Sequence, residues 1–304
     1  MSLPKIIVIQ GPTATGKTKL SVHLAKMLQT EIISADSRQF YREMNIGTAK
    51  PSLKELEEVK HHFISNLSIH DHYTVSDFER DALEISGKLF RRGLTPILAG
   101  GSGLFTDALL TGFHPLPEAD PELRNKLYEL SQSNEGYESL VQQLKNLDPA
   151  TAEQIDLKNP RRVLRALEIC ITAGESLSSL TSHKLPERAF SFLRIGLDMP
   201  KDELYKHIDK RCAQMMEAGL LDEVNRLHPY KHLPALKSIG YTEFFDYFDH
   251  KSTRDEAFTL FCQHSRNFAK RQMTWLRRYK DIHWFGYDQF EEIEKFVVEY
   301  LKTT

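Results

Sequence analysis

Four groups of residues in this sequence have types and spacings that could do chemistry. The first is Gly11-x-x-x-x-Gly16-Lys17-Thr18. Four apolar residues, Ile6 to Ile9, precede it, and a run with Leu20, Leu24 and Leu28 at four-residue spacing follows. This is a phosphate-binding loop in its required setting of strand, loop and helix. Its glycines let the backbone approach phosphate oxygens, and amides at the helix start point inward at them. Gly11, Pro12, Thr13, Ala14, Thr15 and Gly16 form the cradle. Lys17 adds a positive charge, and Thr18 offers a hydroxyl to a bound magnesium ion. The pattern implies a held diphosphate or triphosphate and leaves the reaction open.

The second group is Asp36-Ser37-Arg38-Gln39, at the tip of an apolar run beginning Ile32-Ile33. A carboxylate there can be a magnesium ligand, a substrate hydrogen-bond acceptor, a general base, or a turn or cap residue. Gln39 can pair its amide with an adenine edge, and Arg38 can contact phosphate. The third group is Arg161, Arg162 and Arg165 at a helix start, with 161 and 165 on one face. Such a set suits phosphate oxygens, and equally a solvated face pairing with Glu168. The fourth is the stretch 257–280, which has no acidic residue. There Arg266, Lys270, Arg271, Arg277, Arg278 and Lys280 alternate with Phe268, Trp275 and Tyr279. It fits contact with an RNA or DNA backbone, or a helix whose aromatics are core and whose cations favour its C-terminal end. The histidines show no metal spacing, and no Ser-His-Asp or Cys-His grouping stands out.

These residues need a scaffold, and the first part of the chain alternates strand and helix as doubly wound α/β folds do. Strands are expected at 6–9, 32–37 and 94–99, the second ending in the polar tip Asp36-Ser37, with helices at 17–29, 53–61 and 76–93, the last capped by Ser76 with Glu79 three residues on. Ligands of such sheets sit at the carboxyl ends of strands. The phosphate-binding loop, Asp36-Ser37 and Gly100 to Gly103 are three such ends. From about Pro115 the pattern turns helical. Asp120-Pro121, Asp148-Pro149 and Asn159-Pro160 are cap-and-first-turn signals, and no strand-like alternation occurs up to 190. Residues 192–198 read as a strand returning to the sheet. Helices follow at about 200–218, 220–228, 240–249 and 254–278, and a short strand at 282–285. The expected division is therefore an α/β core from 1–115 and 191–304, interrupted by an all-helical insertion at 116–190.

Composition limits the alternatives. At 304 residues, 40% apolar and 27% charged, the chain reads as one large or two smaller globular domains. No apolar run reaches the length of a membrane span, and the N-terminal run is too short for a signal peptide. Three scattered cysteines, Cys170, Cys212 and Cys262, fit a reducing compartment and exclude a cysteine-based zinc module. With a net charge of −2, any nucleic-acid binding must come from a local patch.

Taken together, GPTATGKT (11–18), ISADSRQFYREMNIGTAKP (33–51), YTVSDFERDA (73–82), PILAGGSGLF (96–105), LDPATAEQIDLKNPRRVLRALEI (147–169), SIGYTEF (238–244) and AKRQMTWLRR (269–278) resemble the tRNA dimethylallyltransferase family, bacterial type. The resemblance runs over nearly the whole chain. It implies a P-loop NTPase-like core, similar to nucleoside monophosphate kinases, with a parallel sheet and a helical insertion that embraces tRNA. It implies transfer of a dimethylallyl group from dimethylallyl diphosphate to the exocyclic amine of the adenine 3′ of the anticodon. The tRNAs would be those reading codons that begin with U, with magnesium assisting and diphosphate released. Matched position by position, Thr13 to Thr18 would bind the donor, and Asp36 would be the general base. Ser37, Arg38, Gln39, Ser102, Arg161, Arg162, Val163, Leu164, Arg165, Lys237, Ser238, Ile239, Gly240, Tyr241 and Thr242 would meet the tRNA. Arg38, Phe40 and Lys237 depart from the usual family residues, which bears on tRNA preference. The resemblance further implies a cytoplasmic protein, acting as a monomer, with no membrane association. A P-loop kinase would leave AKRQMTWLRR and DSRQ unexplained, and a prenyltransferase for free nucleotides would usually lack the tRNA-directed helical parts. A GTPase-like switch would need an N-K-x-D sequence, which is missing.

Overall fold

In the computed structural model of the chain, residues 3–118 and 120–302 are described. They contain a six-stranded, all-parallel sheet with the order β3-β2-β4-β1-β5-β6. The strands are β1 (Lys5–Gln10), β2 (Ile32–Ser34), β3 (His61–His62), β4 (Ile97–Ala99), β5 (Ser191–Asp198) and β6 (Ile282–Gly286). Ile6, Ile7, Val8 and Ile9 are all fully buried, as expected for a central strand covered on both faces. Ile7, Val8 and Ile9 register against Ile97, Leu98 and Ala99, and Ile32 and Ile33 pair with Ile97 and Leu98. The register sets the carboxyl ends of β1, β4 and β2 side by side. The all-parallel α/β sheet expected from the alternation is therefore present.

Local expectations needed some corrections. The helix over Val75–Arg91 (α3) is capped by Thr74, not Ser76. Thr74 Oγ1 accepts from the Asp77 amide at 3.2 Å and Asp77 Oδ2 accepts from the Thr74 amide at 2.9 Å. The cap sits two residues upstream because Thr74 is the residue with extended backbone before the first helical turn. The charged helix expected through 61 ends at Glu58. His61 and His62 instead form an edge strand paired with Ile32 and Ile33.

The chain clusters into two compact units, 1–111 with 188–304, and 112–187. The helical unit was expected at 116–190. Its C-terminal limit falls earlier because Arg188 is already fixed in the α/β unit, on Glu79 and on the Ala108 carbonyl (2.7 Å). The helical unit comprises α5 (Pro121–Leu130), α6 (Asn134–Leu147), α7 (Pro149–Gln154), α8 (Pro160–Ala173) and α9 (Leu177–Leu180). Leu127, Leu140, Leu144, Val163 and Leu167 form its own core. Beside that core, buried Glu168 takes both Arg124 (2.9 and 3.0 Å) and Arg165 (3.0 Å). Buried Asp148 caps α7 through the Thr151 amide (3.0 Å) and hydroxyl, and also holds Ser178. No helix among the described residues is long and apolar enough to cross a membrane.

In the α/β unit a second core forms around α10 (Lys201–Glu217), α11 (Leu220–Leu227), α12 (Thr242–Phe248) and α13 (Arg254–Leu276). Glu223 of α11, 1% exposed, accepts the amides of Asn45, Ile46 and Gly47 at 2.9–3.0 Å and the Tyr241 hydroxyl at 2.7 Å. This nest shapes the 45–49 turn, and it pushes the Tyr241 phenol up from its ordinary pKa through burial and the adjacent carboxylate. Glu223→Ala would leave three amides and a hydroxyl unpaired in a dry site. It should lower unfolding free energy by about 3 kcal/mol or more, whereas Tyr241→Phe should cost only about 1–3 kcal/mol. Denaturant unfolding of the two variants reads the difference, and a wild-type midpoint for Glu223→Ala would contradict the account.

Candidate active site

The loop after β1 enters α1 (Lys17–Met27) through Gly16, whose φ of 83° is the left-handed conformation that turns the chain into the helix. Ala14 adopts φ 69° without being glycine, so the loop stores local strain of the kind found at ligand sites. The Thr15 hydroxyl and the Lys17 ammonium both donate to the Pro12 carbonyl, at 2.8 and 2.7 Å. Arg211 of α10 donates to Thr13 Oγ1 at 2.9 Å. Two cations therefore converge on a cavity of about 180 Å³ lined by Thr13, Lys17, Thr18, Asp36 and Arg211. Burial and, to a lesser degree, the neighbouring Arg211 lower the Lys17 pKa to about 7, with Asp36 partly opposing them. Burial likewise pushes the Arg211 guanidinium down. Two cations facing one carboxylate leave an excess of positive charge there, which suits an anion.

Asp36 follows β2 and lines this cavity and a larger neighbour of about 500 Å³. Its Oδ1 accepts from the Arg38 amide at 3.1 Å. The larger cavity has a polar rim, with Ser37, Arg38, Ser102 and Lys237, and an apolar interior that includes Ile208, Met215, Phe261 and Phe268. Ser102 caps α4 (Gly103–Leu110) by position only. Its hydroxyl makes no capping bond and opens onto the cavity, while its amide bonds the Ala35 carbonyl at 3.1 Å. Three strand ends thus meet at one place, as the register requires.

Other site residues expected from the sequence are placed differently. Gln39 turns inward, its amide donating to the Thr48 and Ala49 carbonyls at 3.2 and 3.1 Å, so no free edge is left for a base. Arg38 spans to the carbonyls of Pro234 (3.2 Å), Ala235 (2.9 Å) and Lys237 (3.4 Å), bracing that turn. Tyr241 is wholly buried in the Glu223 nest, and Gly240 is buried with its amide on Glu243 at 2.8 Å. Ser238 and Ile239 line the larger cavity, and Thr242 is exposed. In the helical unit Val163 is fully buried core and Leu164 half-buried beside it, so a partner cannot reach Val163. Arg165 serves Glu168 and the Pro117 carbonyl, whereas Arg161 and Arg162 are exposed.

In the basic aromatic stretch the aromatics are structural, while most of the cations face outward. Arg266 pairs with Asp209 (2.7 and 2.8 Å), and Arg278 lies 3.8 Å from the Trp275 ring centre. Trp275 packs against Gly103 and donates to Tyr279, whose hydroxyl donates to Asp107 at 2.6 Å. Lys270, Arg271, Arg277 and Lys280 remain exposed. Sequence reasoning missed Arg211 and Gln272, which carries the two bonds described below. Both sit on ordinary-looking amphipathic helices far along the chain, and only the Gln in the AKRQ run hinted at a role.

A diphosphate needs countercharge beyond one lysine and one arginine, and the donor set fits a hard divalent cation. The Thr18 hydroxyl makes no hydrogen bond among the described residues and faces the smaller cavity, with the Asp36 carboxylate on the same wall. No cluster of three or more His, Cys, Asp or Glu side chains able to hold a metal occurs among the described residues. Any bound ion would therefore lean on phosphate oxygens.

Fold and site together define an α/β P-loop protein whose small cationic cavity shares Thr13, Asp36, Arg211 and Gln272 with a larger half-apolar one. The IPP transferase family model matches residues 39–279, and the chain belongs to that family. A tRNA dimethylallyltransferase of Flavobacterium johnsoniae is 44% identical over 306 residues, spanning 98% of this chain and 99% of the relative. The crystal structure of the full-length tRNA isopentenylpyrophosphate transferase of Bacillus halodurans superposes with a TM-score of 0.73 at 37% identity, covering 98% and 97% of the two chains. A eukaryotic dimethylallyltransferase captured acting on tRNA gives a TM-score of 0.82 at 25% identity over 98% of this chain and 77% of that one.

The Lys17 environment predicts a pH signature. Below about pH 7 the free protein carries an ammonium ready to meet an anion, and above it a neutral amine. Affinity for inorganic diphosphate, expressed as the ratio of wild type to Lys17→Met, should therefore shrink as pH rises from 7 to 9. Titration calorimetry in magnesium-free buffer reads this ratio. A constant value from pH 6 to 9 would contradict the assignment.

Proposed function

We propose that this protein transfers a dimethylallyl group from dimethylallyl diphosphate to the exocyclic amine of the adenine 3′ of the anticodon, in tRNAs reading codons that begin with U. The observation that carries this reading is the position of Asp36. Its carboxylate lies on the wall shared by the small cationic cavity and the larger half-apolar one. A diphosphate in the first places its prenyl chain toward the second, where an amine can approach beside Asp36. The relatives named above as tRNA dimethylallyltransferases support the donor and acceptor classes.

The chemistry follows from the charges. The adenine leaves its stack to enter the chamber. Its amine nitrogen attacks the allylic carbon, the carbon–oxygen bond breaks, and the electron pair leaves with the diphosphate. Lys17, Arg211 and the loop amides are aimed at the charge that develops on that leaving group. Asp36 takes the proton released from the amine. The Thr18 hydroxyl would hold a magnesium ion, which would supply further countercharge to the diphosphate. Arg161 and Arg162 of the helical unit, with Lys237 at the chamber rim, engage the RNA backbone. The enzyme acts as a monomer in the cytoplasm, on the anticodon stem-loop.

Asp36→Asn should lower turnover by roughly 10²–10⁴-fold on an anticodon stem-loop with labelled donor. Near-normal turnover would remove the general-base role. Arg162→Ala should weaken RNA binding and reduce the slope of log affinity against log salt by about one. An unchanged slope in a salt titration would take Arg162 out of the phosphate contacts.

A further inference from the structure

Gln272 of α13 lines both cavities and is 7% exposed. Its Oε1 accepts from the Thr13 amide at 2.8 Å, and its Nε2 donates to the Gly101 carbonyl at 2.9 Å. One carboxamide therefore ties the phosphate-binding loop after β1 to the glycine turn after β4. Glutamine suits this place because it presents a donor and an acceptor on one rigid plane. Gly101 is confined between two side chains. A Cβ there would stand 2.8 Å from Gln272 Nε2 and 3.4 Å from Asp36 Oδ2. Gln272 thus bonds the loop amide and the Gly101 turn, and the Asp36 carboxylate stands beside that turn. The helix carrying Gln272 is itself anchored. Trp275 packs against Gly103, and the Tyr279 hydroxyl donates to Asp107 of α4.

We infer that Gln272 is a positioning residue, which sets the distance between the phosphate-binding loop and the Asp36 wall and so aims the allylic carbon at the amine rather than at water. The inference rests on the transfer reaction proposed above. A loosened bridge leaves the donor bound but misaligned, and a misplacement of about 1 Å can cost on the order of 10²-fold in rate. Water then competes for the same carbon. Its oxygen forms the new bond, the diphosphate leaves with the electron pair of the broken bond, and the proton passes to solvent. The product of that leak is dimethylallyl alcohol.

Gln272→Met keeps the length and volume of the side chain and removes both hydrogen bonds. The Thr13 amide and Gly101 carbonyl border the cavities, where water can satisfy them, so the fold should persist. Gln272→Asn, one methylene too short to span both partners, provides a second variant should the first misfold. The experiment follows labelled dimethylallyl diphosphate in the presence of an anticodon stem-loop and measures label in RNA against label in dimethylallyl alcohol. The expected result is a kcat about 10²-fold lower, donor KM within about threefold of wild type, and an alcohol-to-RNA ratio raised at least about tenfold. An unchanged ratio overturns the inference, whether kcat falls or not, because a merely structural residue lowers the amount of active enzyme without altering the partition. Asp36→Asn assayed alongside separates the two claims. If that variant transfers normally, the proposed chemistry has failed rather than the bridge.

Discussion

The closeness of two strand ends governs this structure. The Ala35 amide donates to the Ala99 carbonyl at 2.8 Å, and the Ala35 carbonyl accepts from Ser102 at 3.1 Å. A Cβ on Gly100 would lie 2.3 Å from the Ala35 carbonyl carbon and oxygen, nearer than any side chain can stand. Only glycine lets β2 and β4 finish this close. Asp36, the next residue, is thereby placed against the Gly101 turn, and the β1–β4 register brings the phosphate-binding loop to the other side. The nest on Glu223, the brace from Arg38 and the bridge from Gln272 all hold segments around that junction.

The same junction concentrates charge. Burial disfavours the charged forms of both Lys17 and Arg211, Arg211 further depresses the Lys17 ammonium, and Asp36 is the carboxylate that opposes these effects. Lys17 donates to the Pro12 carbonyl, a neutral acceptor that leaves its charge unpaired. Such an arrangement would favour phosphate oxygens, because the dipoles and charges need no reorganisation to meet them. A phosphate-binding loop in a kinase steadies a substrate that is cut between phosphates. In the proposed reaction the same loop would hold a diphosphate that departs whole, with the reacting carbon toward the larger cavity.

Much of this was legible in the sequence because the signals are short-range. A strand, a glycine loop and a helix start lie within Lys5–Met27, and the alternation of apolar runs with helical spacing reports a parallel sheet directly. What escaped was long-range. Arg211 meets Thr13 across 198 positions, and Gln272 meets it across 259, on helices whose periodicity announces packing alone. Resemblance also carried over residues whose task is internal. Val163 fills the helical core, Tyr241 closes the Glu223 nest, and Gln39 secures the 48–49 backbone. A motif preserves packing letters along with contact letters, and only burial separates them. In the 257–280 stretch the aromatics Trp275 and Tyr279 buttress the Gly103 turn and α4, whereas Lys270, Arg271, Arg277 and Lys280 stay exposed.

The most direct test of the central claim is a competition within one reaction. Purified protein, magnesium, dimethylallyl diphosphate labelled in the prenyl group, ATP labelled in the γ-phosphate and an unmodified anticodon stem-loop are incubated together. The account predicts prenyl label in the RNA, one diphosphate released per transfer, no consumption of ATP, and loss of transfer when the adenine 3′ of the anticodon is replaced by guanine. Phosphate moving from ATP to an acceptor, with no prenyl label in the RNA, would contradict it.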